Sequence, residues 1–316
     1  MEGETIEIII GKRTRVGIAV PQTFPDGPFD ISVIEENLKL VERLGFDSVW
    51  THDQAIGTIQ TLDPFVLLAY AARHTTHLKL GISVIVTPYR SPVHLAKSGA
   101  SLDQISGGRF ILGLGIGSDI PVYPAFGITP EARVARFEEQ IEVIKALWTR
   151  PKATLKGRFL ELDGITIAPK PLQQPRAPIW IGGHARPALV RAVRFADGWM
   201  GAGASTISGF KDQIAFVRGL LEKEGRDPAQ FPISKRIFIG VGPDRESVGR
   251  KMHQWFGEYY HDSDLAGRVA VYGTVEQVIE ELAGVVEEDL DMLLLNPVYD
   301  PNEHAHALAE DVLPKL

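Results

Sequence analysis

The sequence predicts an α/β fold: one (β/α)8 barrel with insertions. Two observations carry this. Apolar runs with strand character alternate with helical segments about eight times, and a chain of 316 residues is within the range that one α/β barrel occupies without a second domain. With 44% hydrophobic and 23% charged residues, the composition supports a large buried core. The expected organisation is a single barrel domain over residues 1–316, with an extra N-terminal strand at about 4–10 and a hairpin insertion at about 152–168.

Arg15 to Val20 is the first core strand. Asp30 caps a helix with Ile34, Leu38, Val41 and Leu44 on one face, and Gly45 ends it. A strand over Ser48 to Trp50 follows and runs into the polar cluster Thr51-His52-Asp53-Gln54. Leu62 to His74 reads as a helix, Leu78 to Val86 as the third strand, and Ser91 to Ile105 as a helix closed by Gly107-Gly108. Arg109 to Gly115 is the fourth strand, which enters a glycine-rich loop, Gly115-Ile116-Gly117-Ser118-Asp119. Glu131 to Trp148 carries an apolar stripe of Val134, Phe137, Ile141, Ile144 and Leu147. Lys152 to Ala168 breaks the alternation as two short strands around Asp163-Gly164.

The stretch Ala177 to Met200 is a βα unit with a glycine turn. Its strand, Pro178 to Ile181, ends on Gly182-Gly183, and a helix bearing Ala188, Leu189, Val193 and Phe195 runs to Asp197-Gly198. Glycines where a strand feeds a helix let backbone N–H groups approach an anion, and the helix N-terminus adds partial positive charge. Gly198 to Ala202 is then a strand, Gly209 to Glu224 a helix, Arg236 to Val241 a strand and Glu246 to Phe256 a helix. Gly257 to Gly273 has no clear pattern and reads as a loop. Thr274 caps a helix to about Val286, Asp291 to Asn296 is the last strand, and a short helix starts at Asn302.

Composition narrows the function. A net charge of -7 offers no basic footprint for nucleic acid, and no segment supplies an apolar span of membrane length, so a small-molecule partner and a cytoplasmic location are expected. The absence of cysteine excludes disulfides, thiolate catalysis and cysteine-zinc sites. His74-Thr75-Thr76-His77 lacks a carboxylate partner, and no metal site is expected. Gly113 to Ser118 lacks the third glycine and the following helix of a dinucleotide fingerprint, and no nucleophile elbow or P-loop occurs.

In a barrel of this kind the working face is where strands end and βα loops begin. The polar residues at those ends are Gln22, His52-Asp53-Gln54, Ser83, the Gly115 to Asp119 loop, Gly182-Gly183-His184 and Asn296, with Trp50, Tyr123, Phe126 and Trp199 as candidate apolar walls.

Three segments, LGFDSVW at Leu44 to Trp50, SGGRFILGLGIG at Ser106 to Gly117 and PIWIGG with ADGW between Pro178 and Trp199, together resemble the bacterial luciferase-like superfamily of flavin and deazaflavin oxidoreductases. Within it they look most like the branch that uses coenzyme F420, an 8-hydroxy-5-deazaflavin. The resemblance implies a (β/α)8 TIM barrel, luciferase-like, with the cofactor in its mouth and a homodimeric assembly. It implies a non-prolyl cis peptide at Ser83-Val84 behind the ring, a phosphate loop of Gly182, Gly183, His184 and Ala185, and a loop of Gly115, Gly117 and Ser118 beside the cofactor side chain. Asp53 matches an acidic residue near the reactive ring. Many deazaflavin members follow that residue with His, whereas here Gln54 follows and His52 precedes; Asp53, His52 and Gln54 are the candidate catalytic residues, and the proton comes from Asp53, from His52 or from water. The implied activity is F420-dependent hydride transfer to or from a small organic substrate. The alternatives are an FMN-dependent monooxygenase using reduced flavin and oxygen, and a non-catalytic flavin-binding protein.

Overall fold

The computed structural model describes residues 7–24, 29–117, 120–288 and 290–316. Eight parallel strands close on themselves: β1 (Thr14–Ala19), β2 (Ser48–Thr51), β3 (Lys79–Ile82), β4 (Phe110–Gly115), β5 (Ile179–Gly182), β6 (Gly198–Gly201), β7 (Ile233–Val241) and β8 (Met292–Pro297). They pair in that order, and β8 returns to β1 with Met292 opposite Arg15 and Leu295 opposite Ile18. The expected barrel is the observed fold.

The larger helices are α1 (Ile31–Arg43), α2 (Pro64–His74), α3 (Pro92–Ile105), α4 (Arg133–Thr149), α5 (Arg186–Phe195), α6 (Ile207–Lys223), α7 (Arg245–Tyr260), α8 (Val275–Val286) and α9 (Pro301–Ala307). Their starts are written in the sequence. Asp30, Asp63, Ser91, Thr206 and Asp244 each accept a first-turn N–H, and Thr274 with Gln277 makes a reciprocal capping box. Such a cap contributes about 1 kcal/mol.

The barrel interior is filled by Trp50, Ile111, Trp180, Met200, Met292 and Leu294. The Trp50 and Trp180 rings lie 5.7 Å apart. A Cβ on Gly81 would stand 2.3 Å from the Trp50 ring, which is why β3 carries a glycine at its centre.

Four elements depart from the sequence reading. The third strand is not continuous to Val86: β3 stops at Ile82, a cis peptide joins Ser83 to Val84, and Ile85–Val86 pairs again with Leu114 and Gly115 of β4. The seventh strand starts three residues early, at Ile233, because the polar pair Ser234-Lys235 that masks it is buried. Lys235 Nζ donates to the carbonyls of Ala202 and Ser205 and to Ser205 Oγ, and burial pushes its pKa down to about 7. The hairpin strands are Ala153–Lys156 and Glu161–Ile165, so the chain reverses at 157–160 and not at Asp163-Gly164. There the Glu139 carboxylate on α4 accepts the N–H groups of Arg158, Phe159 and Leu160 and fixes the turn. Finally, Gly257 to Gly273 is ordered: α7 extends to Tyr260, Ala266–Val269 forms a helical turn, and Val271–Gly273 pairs with the end of β7.

Of the expected N-terminal strand, Ile9–Ile10 pairs antiparallel with β1, and residues 4–6 lie outside the described residues. Among the described residues no helix is long and apolar enough to cross a membrane.

Candidate active site

Gln22, just past β1, fixes the chain beyond β2. Its side-chain amide donates to the His52 carbonyl at 2.8 Å and to the Leu62 carbonyl at 2.6 Å, while its oxygen accepts the His52 N–H at 2.8 Å. With the backbone clamped, His52, Asp53 and Gln54 follow the end of the strand and each engages different partners.

The His52 ring faces the mouth, edge-on to Tyr259 with centroids 5.8 Å apart. Its Nε2 is buried and has no hydrogen-bond partner. Burial, and secondarily the charge of Arg236, push the imidazole pKa down to about 3, so the ring is neutral at pH 7.

Asp53 turns inward. One carboxylate oxygen accepts the Val86 N–H at 3.0 Å and Arg90 Nε at 3.0 Å, the other accepts Arg90 Nη2, and the side chain has no exposed surface. Both oxygens are engaged. Gln54 stands beside Asp53 in the wall of the mouth, and its oxygen accepts the Thr61 hydroxyl at 2.9 Å.

Beyond Ser83 the Val84 side chain enters a slot between β4 and β5. A Cβ on Gly115 would stand 2.5 Å from a Val84 methyl, and one on Gly182 would stand 2.7 Å from the other. Gly117, at φ +74°, clears Val86 in the same way at 2.5 Å. Only glycine leaves room at these positions. Ser118 lies outside the described residues.

Gly183, at φ +150°, leads through His184 and Ala185, both exposed on the rim, into α5, whose N-terminus has no side-chain cap. Trp199 donates to the Gly183 carbonyl at 2.8 Å and packs against Phe210.

Arg236, on β7, joins the two sides of the mouth. Nη1 donates to the Ser83 carbonyl at 3.1 Å, and Nε donates to Asn296 Oδ1 at 2.9 Å with Nη2 on the same oxygen. A guanidinium has five N–H donors, so two remain beyond these three bonds. Among the described residues Arg236 pairs with no carboxylate.

Two cavities meet here. One, of about 310 Å³, has Ser83, Val84, Gly117, Tyr89 and Phe126 in its wall. The other, of about 350 Å³, lies towards Gln22, Trp255, Asn296 and Tyr299. His52, Arg236 and Tyr259 line both. Burial, foremost, pushes the pKa of the Tyr259 hydroxyl above its ordinary value.

A family model for luciferase-like monooxygenases matches residues 13–292. The chain belongs to the luciferase-like monooxygenase family. An uncharacterized protein of Mycobacterium tuberculosis (strain ATCC 25618 / H37Rv) is 34% identical over 230 residues, 72% of this chain and 75% of its own. A 5,10-methylenetetrahydromethanopterin reductase of Methanolobus tindarius is 31% identical over 207 residues, 65% of this chain and 60% of its own. Among solved structures, an F420-dependent secondary alcohol dehydrogenase in complex with an F420-acetone adduct superposes with a TM-score of 0.83 at 21% identity, over 96% of this chain and 99% of that one.

This luciferase-like mouth gathers His52, Asp53, Gln54, Ser83, Val84 and Gly117 around one cavity. Of the expected walls, Phe126 lines it, stacked on Tyr89 at 4.4 Å. Trp50 and Trp199 instead fill the core, and Tyr123 is buried with its hydroxyl on the Ile116 carbonyl. The sequence reading missed Arg236, Tyr259 and Arg90. An arginine directly before the apolar run Ile237 to Val241, and the aromatic tail Trp255-Phe256-Gly257-Glu258-Tyr259-Tyr260, were the available signals.

Proposed function

We propose that the protein is an F420-dependent oxidoreductase that moves a hydride between the deazaflavin and a small oxygen-bearing substrate, such as a carbonyl compound or the corresponding alcohol. One observation carries this reading: a neutral His52 with a buried, unpartnered Nε2 and an Arg236 cation without a carboxylate line the same two cavities. An oxygen that gains negative charge during reaction needs a hydrogen bond and a fixed positive charge, and a mouth with few competing waters strengthens both. The F420 dependence of the structurally similar alcohol dehydrogenase brings this cofactor to the reading.

The mouth fits such a group in two respects. The Ser83-Val84 bulge forms part of the wall of the smaller cavity, and the uncapped, exposed start of α5 behind Gly182 and Gly183 suits a phosphate. Ser83 and Val84 would back the ring, Gly182, Gly183, His184 and Ala185 would hold the phosphate, and Gly115, Gly117 and Ser118 would flank the side chain. Bound there, the deazaflavin supplies hydride donor or acceptor capacity at its C5 carbon.

The chain's own residues do the rest. Arg236 holds the substrate oxygen with its remaining N–H donors and balances the charge that develops on it. His52 makes the second hydrogen bond at Nε2, and its low basicity keeps it uncharged while it does so; the proton that turns the resulting alkoxide into the alcohol is taken from water, and is returned to water in the reverse direction. Asp53 acts at one remove: it anchors Arg90 and the Val86 N–H, and so fixes the wall beyond the bulge. Tyr259 and Trp255, stacked at 4.7 Å, exclude water from the larger cavity.

The family's description as monooxygenases favours a second reading, an FMN-dependent oxygenase. Steady-state assays separate the two. Reduced F420 consumed by a panel of aldehydes and ketones, or oxidised F420 by alcohols, supports hydride transfer. Oxygen uptake with reduced FMN, and none of that turnover, contradicts it.

A further inference from the structure

A second concavity, larger than either cavity of the mouth, lies elsewhere. A cavity of about 710 Å³ opens at the opposite end of the barrel, against the N-terminal ends of the strands. Arg15, Lys79, Arg109, Pro178, Asp197 and Asp291 all stand at or just before the start of a barrel strand, and Ile9, Lys12 and Arg13 of the N-terminal hairpin form part of the wall.

Its floor is apolar. Ile111, Trp180 and Met292, all part of the barrel's inner cluster, reach down into it. One polar group interrupts this floor. The buried indoles of Trp50, Trp148 and Trp199 donate to Ser48 Oγ, the Ala96 carbonyl and the Gly183 carbonyl, each at 2.8 Å. Trp180 is 5% exposed, yet its N–H makes no hydrogen bond to the protein. Its Nε1 is not sealed from solvent, so an acceptor in the cavity that Trp180 lines can reach it.

Its rim is positive in a chain whose net charge is -7. Arg15 and Lys79 both lean on one oxygen of Asp47, with Glu7 also on Arg15, and Arg13 reaches Asp291 at 3.4 Å. Lys12 has no acidic partner among the described residues. Arg109 spends its donors on the carbonyls of Ala72, Thr75, Leu78 and Ser106 and on the Thr75 hydroxyl, with no carboxylate. Positive charge is therefore in surplus above an apolar floor.

We propose that this lower cavity is a second binding site, for a small amphipathic acid whose aromatic or branched body carries an oxygen acceptor. The body lies on Ile111, Trp180 and Met292, its oxygen takes the Trp180 N–H, and the carboxylate stays at the rim near Lys12 and Arg15. The site binds and does not catalyse, because its acids are held in ion pairs and no free base faces the floor.

Calorimetric titration of the full chain with 6-methoxy-2-naphthylacetate tests this, alongside 2-naphthylacetate, which lacks the ether oxygen, and 2-methoxynaphthalene, which lacks the carboxylate. The expected result is one saturable site, at least tenfold weaker without the carboxylate and in Lys12→Glu, and unchanged in Arg236→Gln. Trp180→Phe should bind the methoxy acid no better than the unsubstituted acid. No saturable binding overturns the proposal, as does binding indifferent to Lys12→Glu or binding lost in Arg236→Gln, which would put the probe in the mouth. Lys12 is exposed on a turn, so its variant tests the site without disturbing the core.

Discussion

Arg236 of β7 donates to the carbonyl of Ser83, 153 residues away in sequence and on the opposite side of the barrel mouth, at 3.1 Å. The bond ties the bulge after β3 to the residue we assign to substrate oxygen, so one side chain both shapes the ring wall and presents charge to the cavity. Arg236→Gln should lower kcat/KM by about 10- to 100-fold, corresponding to loss of one charge-assisted hydrogen bond of about 1.5–3 kcal/mol. Steady-state kinetics with a thermal melt on the same sample checks this: an activity loss with a preserved melt is expected.

Asp53 is expected to report on stability first. Removing one partner of a buried, hydrogen-bonded ion pair costs about 3–5 kcal/mol, and Asp53→Ala strands Arg90 and the Val86 N–H together. Urea unfolding should show the free energy of unfolding reduced by that amount. A variant as stable as the parent would return Asp53 to the list of candidate proton donors.

The slot around Val84 predicts a rescue. Gly115→Ala brings a methyl to 2.5 Å from the Val84 side chain, an overpacking that costs about 1–3 kcal/mol. Trimming the neighbour in Gly115→Ala/Val84→Ala should recover most of that loss. A double-mutant cycle in urea measures the coupling, and additive losses would mean that the two side chains do not oppose each other.

The pH dependence follows from His52. Its folded pKa of about 3 lies below the ordinary value of 6.5. Between those values the unfolded chain binds the proton and the folded one does not, so stability is fully present above pH 6.5 and declines as pH falls towards 3. His304 is shifted in the same direction and adds to the decline. His52→Gln should flatten the fall between pH 6.5 and 4 relative to the parent, as read from urea midpoints. An identical slope in both proteins would mean that His52 protonates freely in the folded state.

These residues also mark what the sequence could and could not reveal. The barrel was legible because most βα units carry their own signals: an apolar strand, a capping Asp, Ser or Thr before the helix, and in several a closing glycine. The breaks were not. Lys235 hides the start of β7 because a lysine reads as exposed unless its three acceptors, two from Ser205 and one from Ala202, are known. Val84 gave no hint that Gly115 and Gly182 are there to clear it, since their closeness comes from three strands far apart in the chain. Arg236 and His52 show the same limit: a polar residue at a strand end can be seen, but which of its neighbours leaves it unpaired is a property of the closed barrel.

The central claim is that this mouth takes a deazaflavin. Equilibrium binding of oxidised F420 and oxidised FMN to the purified protein, followed by fluorescence in one buffer, tests it most directly. The account predicts saturable binding of F420 at least tenfold tighter than that of FMN, weakened when Gly182→Val closes the slot beside Val84. Tighter binding of FMN, or F420 binding indifferent to that substitution, would contradict it.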